Sequence, residues 1–498
     1  MKPSSIRRAA AWFLLPLAAL QAQHLASAVF LEPVGKIDTN RAEVKAAMPI
    51  YRRVADPSKY LPWLDNESAK RALRLYRAGY EVAHPTADAV AKPDYYVALV
   101  PGGNHAAVGF RIQHADGSVE DHPKQAYILL DAEPDAFVNT LLHETGHVVM
   151  AMLAGGRQLD GKDVSAIPHT TAALSDRGTA FSEGYAIHLE TLAAHLNHDP
   201  YTHERYHRGQ VLFGGEGSFK TAEYFHQSHD LATFSQTVAR YLEVRDNGYA
   251  FEPAFQGPDY LRVQMEKARD FAAVRNANQL LQSEGFYASF FFLWTIRGAS
   301  VPQESAVAER ERRIMVAMRA MFDENDWDSS SPWLIRLVTA YIKQFPEQKT
   351  ALADALDDLS HGVFVDPDAA RVWKDHYLGA LHLDKQGMNV EAITALRKKW
   401  RESVVADPRV LYSRVGPELP CTLPGSKVRL AAFEEDSPVV FDLNTAPAGI
   451  LRLVPGITEP EITSWIEQRG KRPFSSIDDF KTRVGLRPST LAALQFSH

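Results

Sequence analysis

The spacing of apolar and polar residues divides the chain into stretches of different character. Residues 29–90 read as an irregular lead-in followed by a helix, because positions 68–81 alternate apolar and basic side chains at helical spacing. Three strands are expected next, over 95–100, 107–113 and 126–130. Each run is short and rich in β-branched or aromatic residues, and turn-formers such as Gly102-Gly103-Asn104 and Asp116-Gly117 separate them. Two helices follow, from about 135 to 153 and from about 179 to 196. From 259 to about 405 the pattern is almost wholly helical, in segments such as 259–281, 285–294, 304–322 and 390–404. A stretch bearing Pro and Gly, 407–438, has linker character, and a compact module begins near Phe441. No internal repeat emerges. The order predicts an α+β fold: a domain with a small β-sheet over 29–200, a large all-helical extension over 201–405, a linker over 406–440 and a C-terminal module over 441–498.

Length agrees with several domains, since 498 residues are more than one core usually organises. A net charge of -7 gives no electrostatic reason to expect nucleic acid or acidic lipid as the main partner. The single cysteine, Cys421, excludes an intramolecular disulfide. At the N-terminus, Lys2, Arg7 and Arg8 precede a short apolar stretch from Ala9 to Leu20, and Ala26-Ser27-Ala28 offers a small-x-small cleavage pattern. Residues 1–28 therefore read as a signal peptide, with the mature chain starting near Val29. The alternative is a retained anchor, but the run falls short of the roughly 20 residues a bilayer needs, and Pro16 interrupts it. A periplasmic or secreted protein without a membrane span is expected.

The chemistry concentrates at His143-Glu144-Thr145-Gly146-His147. Histidines at i and i+4 project from one helical face and can share a cation, for which neutral imidazoles favour zinc. Glu144 lies one position round from His143. It can reach a water that the metal activates and take its proton as general base. Leu141, Leu142, Val148 and Val149 flank the motif, so the helix is expected to be buried, and burying these polar groups without a ligand would be costly. The bland alternative is two exposed histidines on an ordinary helix.

Two histidines leave zinc short of a third protein ligand. Downstream, Ser182-Glu183-Gly184-Tyr185-Ala186 opens the next helix, with Glu190 two turns on. Here the sequence resembles the gluzincins, the clan containing thermolysin and the zinc aminopeptidases, over about residues 95–200. The resemblance implies a zincin-like catalytic domain with Glu183 as third metal ligand and Glu190 beyond it, hydrolysing a peptide or protein substrate. His169 and Asp176 are rival ligands by chemistry alone. No Gly-x-Met-Glu-Asn segment precedes the helix, which leaves endopeptidase and exopeptidase action both open. Gln282-Ser283-Glu284-Gly285-Phe286 resembles the aminopeptidase Tyr-Glu-Lys-Gly-Phe segment, with Gln282 at the tyrosine position. Tyr287 is then the candidate for stabilising the oxyanion, a core aromatic being its alternative. His195, His198, His203, His207, His226 and His229 match no tight ligand spacing and read as a polar insert.

In the last module, Asp442-Leu443-Asn444-Thr445-Ala446-Pro447 leads into a short helix, Val454-Pro455-Gly456-Ile457-Thr458 forms a hairpin, and 461–468 forms a second helix. A further helical unit starts at Arg472-Pro473-Phe474 and closes at Val484-Gly485-Leu486. This resembles the helix-hairpin-helix domains of competence DNA receptors and of the type II secretion minor pseudopilin K. DNA-binding versions hold a phosphate on a Gly-hydrophobic-Gly hairpin. Here Thr458 replaces the second glycine, and seven basic residues face six acidic ones from Phe441 onward. DNA binding is accordingly disfavoured, and a protein partner or a structural role preferred. The expected function is a secreted zinc peptidase. A catalytically silent, export- or envelope-associated interaction protein is the alternative.

Overall fold

Hydrophobic alternation in the N-terminal third is satisfied by closing a sheet on itself. The computed structural model describes residues 26–35, 48–86, 92–157, 174–196, 249–253, 260–265, 276–296, 304–323, 332–360, 362–366, 369, 372, 390–428, 437–446 and 448–496. The fold is α+β, and the chain divides into two compact units, one spanning 1–158 with 197–202 and the other the remainder.

In the first unit, β1 (Ser27–Pro33), β2 (Ile50–Arg53), helix α1 (Glu67–Ala83), β3 (Asp94–Leu99), β4 (Asn104–Gln113) and β5 (Val119–Leu130) follow in order. The strands close into a barrel in the order β1-β2-β4-β5-β3. Leu31, Tyr51, Tyr96, Ala98, Phe110, Ile112, Tyr127 and Leu129 cluster as its buried core. Three strands were expected; β1 and β2, within the segment that reads as an irregular lead-in, complete the closure. Closure leaves no open edge for a further strand to join. β1 includes Ser27 and Ala28, paired with Asp94 and Tyr95, just ahead of the expected cleavage point. The basic and apolar head of the expected signal peptide, 1–25, lies outside the described residues.

Beyond the barrel, the helix expected over 135–153 is divided at Thr140 into α2 (Pro134–Asn139) and α3 (Leu141–Leu153). Helix α1 begins at an Asn66 cap whose side chain accepts from the amide of Ala69 at 2.8 Å. It buries Ala69, Ala72, Leu73, Leu75 and Tyr76, the stripe anticipated from its periodicity.

The second unit holds α4 (Arg177–Leu196), β6 (Tyr249–Pro253), β7 (Tyr260–Met265), α5 (Ala277–Leu281), α6 (Glu284–Ile296), α7 (Glu304–Asp323), α8 (Trp333–Gln344), α9 (Lys349–Ser360) and α10 (Val390–Ala406). After these come β8 (Pro420–Val428), β9 (Ser437–Asp442), α11 (Ala448–Leu451), α12 (Glu459–Lys471), α13 (Ile477–Val484), α14 (Pro488–Ala492) and β10 (Gln495–Phe496). Two expectations are corrected. The helical region is not all helical: β6 and β7 pair antiparallel where a helix over 259–281 was expected, and β7 continues onto β8 through Tyr260 and Lys427, a partner far away in sequence. Nor is 406–440 a plain linker, because β8 and β9 form an antiparallel pair with Cys421, Leu423 and Val439 in the module's core. Among the described residues no helix is long and apolar enough to cross a membrane.

Candidate metal centre and C-terminal module

Helix α3 carries the motif histidines on an otherwise largely buried segment. Leu141, Leu142, Val148, Val149, Met150 and Leu153 are buried, and Glu144 is 5% exposed. His143 and His147 stay half-buried, and their Nε2 atoms stand 3.2 Å apart. Two nitrogens each about 2.0–2.1 Å from one tetrahedral ion would be separated by roughly 3.3 Å, so this pair has the spacing that shared coordination requires.

Glu183 sits in the second turn of α4 and is 7% exposed. Asp176 caps that helix, its two carboxylate oxygens accepting from the Thr179 amide at 2.9 Å and the Thr179 hydroxyl at 2.6 Å. A β-carbon at Gly184 would meet the Glu284 carbonyl at 2.8 Å and the Ala288 nitrogen at 3.0 Å, besides the Tyr287 Cβ. Glycine is thus the residue that lets α4 and α6 approach. His143 and His147 belong to the first unit and Glu183 to the second. The paired imidazoles are donors suited to zinc.

The remaining candidates fall elsewhere. Glu190 is half-buried two turns along α4. Asp176 is engaged as the cap, and His169 lies outside the described residues, as do His198, His203, His207, His226, His229 and the side chain of His195. Tyr287 is fully buried, its ring against Phe181 at 5.3 Å, and among the described residues its hydroxyl has no hydrogen-bond partner. Burial pushes that hydroxyl's pKa up, with Arg177 drawing it partly back. These are the surroundings of a core aromatic. Gln282 donates to Glu418 at 3.2 Å.

Sequence reasoning passed over two features. One is the Tyr95 hydroxyl, 2.6 Å from the Thr145 hydroxyl within the motif. A strand aromatic gives no signal that separates it from ordinary core. The other is a polar seam within the second unit. Arg177 donates from its side chain to Asn278 at 2.9 Å and from its amide to Glu418 at 2.9 Å. Asn278 also accepts from the Gly416 amide at 3.0 Å, and Gln279 donates to the Thr445 carbonyl at 3.1 Å. The seam ties α4 and α5 to the start of the C-terminal module.

That module is a packed body around Trp465, Phe474 and Phe480. The Trp465 indole donates to the Leu443 carbonyl at 2.9 Å. Asn444 uses its whole amide, donating to Pro417 and Phe474 carbonyls at 3.1 and 3.0 Å and accepting from the Phe474 amide at 2.7 Å. Gly456, at φ +76°, turns the hairpin. Immediately after it, Thr458 and Glu461 form a capping box, and Glu461 accepts from the Thr458 amide at 2.9 Å. Arg487 adds its amide at 3.0 Å and its guanidinium at 3.1 and 3.0 Å to the same carboxylate. This holds Glu461 well below the usual carboxylate range.

No curated protein and no solved structure matches the chain. Residues 441–496, the module just described, match the family described as Type II secretion system (T2SS), protein K.

Proposed function

We propose that this protein is an export-associated component of the cell envelope that docks through residues 441–496 onto protein partners of a type II secretion assembly. The match of the module to that family carries the reading. The charge arrangement supports a protein partner over a nucleic acid. Arg452 is paired with Glu459, Arg487 with Glu461, and Arg472 and Arg483 with Asp479, so little basic charge is left to gather phosphates. Binding of the purified chain to minor pseudopilins of its own host tests it.

A second reading is supported by the close His143–His147 pair, with Glu183 as the third ligand that the gluzincin resemblance implies. In it these three hold zinc, and the module delivers a peptidase to its place of work. The ion, when bound, would supply a Lewis acid that polarises the scissile carbonyl and acidifies water. Glu144, beside His143 on the same helix, takes the proton from the attacking water and passes it to the leaving amine. Zinc retained only as a structural element is the catalytically silent version. Metal content measured together with hydrolysis of casein separates the two: zinc with turnover supports the peptidase, and zinc without turnover supports the silent form.

A further inference from the structure

Something must hold the two histidines of α3 in register, and it lies on the far side of the helix. Thr145 is midway between His143 and His147 in sequence. At about 100° per residue, the mean direction of the imidazoles is about 20° round from His143, whereas Thr145 is about 200° round, on the opposite side. Thr145 is fully buried. Its hydroxyl donates to the Leu141 carbonyl at 2.6 Å and stands 2.6 Å from the Tyr95 hydroxyl. The one threonine proton is committed to Leu141, so Tyr95 donates and Thr145 accepts.

Tyr95 is itself fixed. Its strand, β3, pairs with β1 on one side and β5 on the other. Its ring stacks on Tyr76 at 4.3 Å, and the Tyr76 hydroxyl donates to the Asp94 carbonyl at 2.8 Å while accepting from Gln125 at 3.2 Å. Where α1 crosses α3, a β-carbon at Gly79 would meet Val149 at 2.9 Å, so α3 has little room to slide.

We propose that Tyr95, acting through Thr145, is the positioning residue that sets the rotation of α3 and so aims His143 and His147 at a metal ion. The inference rests on the metal-binding reading above. A rotation of about 20° would carry an imidazole nitrogen, roughly 5–6 Å from the helix axis, by about 2 Å. That is as long as a zinc–nitrogen bond. A hydrogen bond behind the ligand helix therefore decides whether the pair converges on one ion.

The test uses the full chain, Zn²⁺ titrated against a chromophoric chelator, and the visible spectrum of the Co²⁺ form. Thr145→Val is expected to weaken zinc binding roughly tenfold or more and to alter the cobalt bands with the far-ultraviolet circular dichroism unchanged. Thr145→Ser, which keeps the hydroxyl, restores both. Tyr95→Phe removes a single oxygen and shifts both readouts the same way, and it carries the test where Thr145→Val does not fold. Wild-type zinc affinity and cobalt spectrum in folded variants overturn the inference while leaving the metal reading standing. A wild-type chain that takes up neither ion overturns the metal reading and this inference with it.

Discussion

Glu144 and Glu183 divide the acidic work of the proposed centre, and single substitutions separate their roles. Glu144→Gln is expected to abolish casein hydrolysis while about one zinc stays bound, because the coordinating set is untouched. Glu183→Ala is expected to lose metal and turnover together. Stoichiometric zinc and near-native turnover in Glu183→Ala would remove that residue from the ligand set. Gly184 beside it has a different duty. The Glu284 carbonyl and Ala288 nitrogen stand 2.8 and 3.0 Å from where a β-carbon would go, and both are backbone atoms that cannot swing aside. Gly184→Ala should therefore cost about 1–3 kcal/mol and lower the thermal midpoint. Zinc affinity should fall with it, since Glu183 rides on the same turn. An unchanged midpoint in a melting curve would show that α4 and α6 part without cost.

At the level of elements, the hairpin preceding α12 resembles a phosphate-binding loop but has filled its own site. The Glu461 carboxylate takes the Thr458 amide and three donors of Arg487, so an incoming phosphate would meet a negative charge instead of a free amide. The full chain is expected to show no DNA affinity beyond ordinary non-specific binding at physiological salt, read by fluorescence anisotropy. Sub-micromolar, salt-sensitive binding would contradict it. Thr458 and the balanced charges are visible in the sequence, whereas the Glu461–Arg487 pairing joins residues 26 positions apart and is not. The same contrast runs through the other elements. Helices α1, α3, α4, α6, α7 and α10 were legible because their apolar stripes repeat within the segment. Strands β1 and β2 were not, since a four-residue strand such as Ile50–Arg53 gains its stability from partners far along the chain. Strand β8 was hidden by Pro420 and Pro424, and β9 by Pro438. Pro420 opens the strand, and Pro424 falls where the register shifts between Leu423 and Lys427, positions a strand tolerates. The spacing of His143 and His147 made their sharing of one helical face legible, whereas Glu183 rests on the resemblance of the Glu-Gly run. Tyr95 stayed hidden because its role is a contact between a strand and a helix fifty positions apart.

Over the whole molecule, the seam from Arg177 to Asn444 makes the C-terminal module part of the second unit rather than an appendage. Asp442 lies in it, 3% exposed, accepting from the Asn444 amide at 2.8 Å and from the Leu419 amide. Burial, reinforced by Glu418, raises its carboxyl to about 6, against the opposing pull of the two amides and Arg177. A group whose pKa is raised on folding stabilises the fold fully below its unfolded value and loses that contribution as pH rises through the folded value. From this group alone the metal-free chain should be more stable at pH 5 than at pH 7.5, and Asp442→Asn should flatten the difference in thermal midpoint. A wild-type and variant difference of equal size would rule Asp442 out as the source. Envelope docking is tested most directly by isothermal titration of the full chain into soluble minor pseudopilins from its host's type II assembly. Saturable binding at about micromolar Kd or tighter is predicted, lost in Trp465→Ala, whose module core is emptied. Absence of binding by the folded wild-type chain at about a hundredfold higher concentration would contradict the docking role.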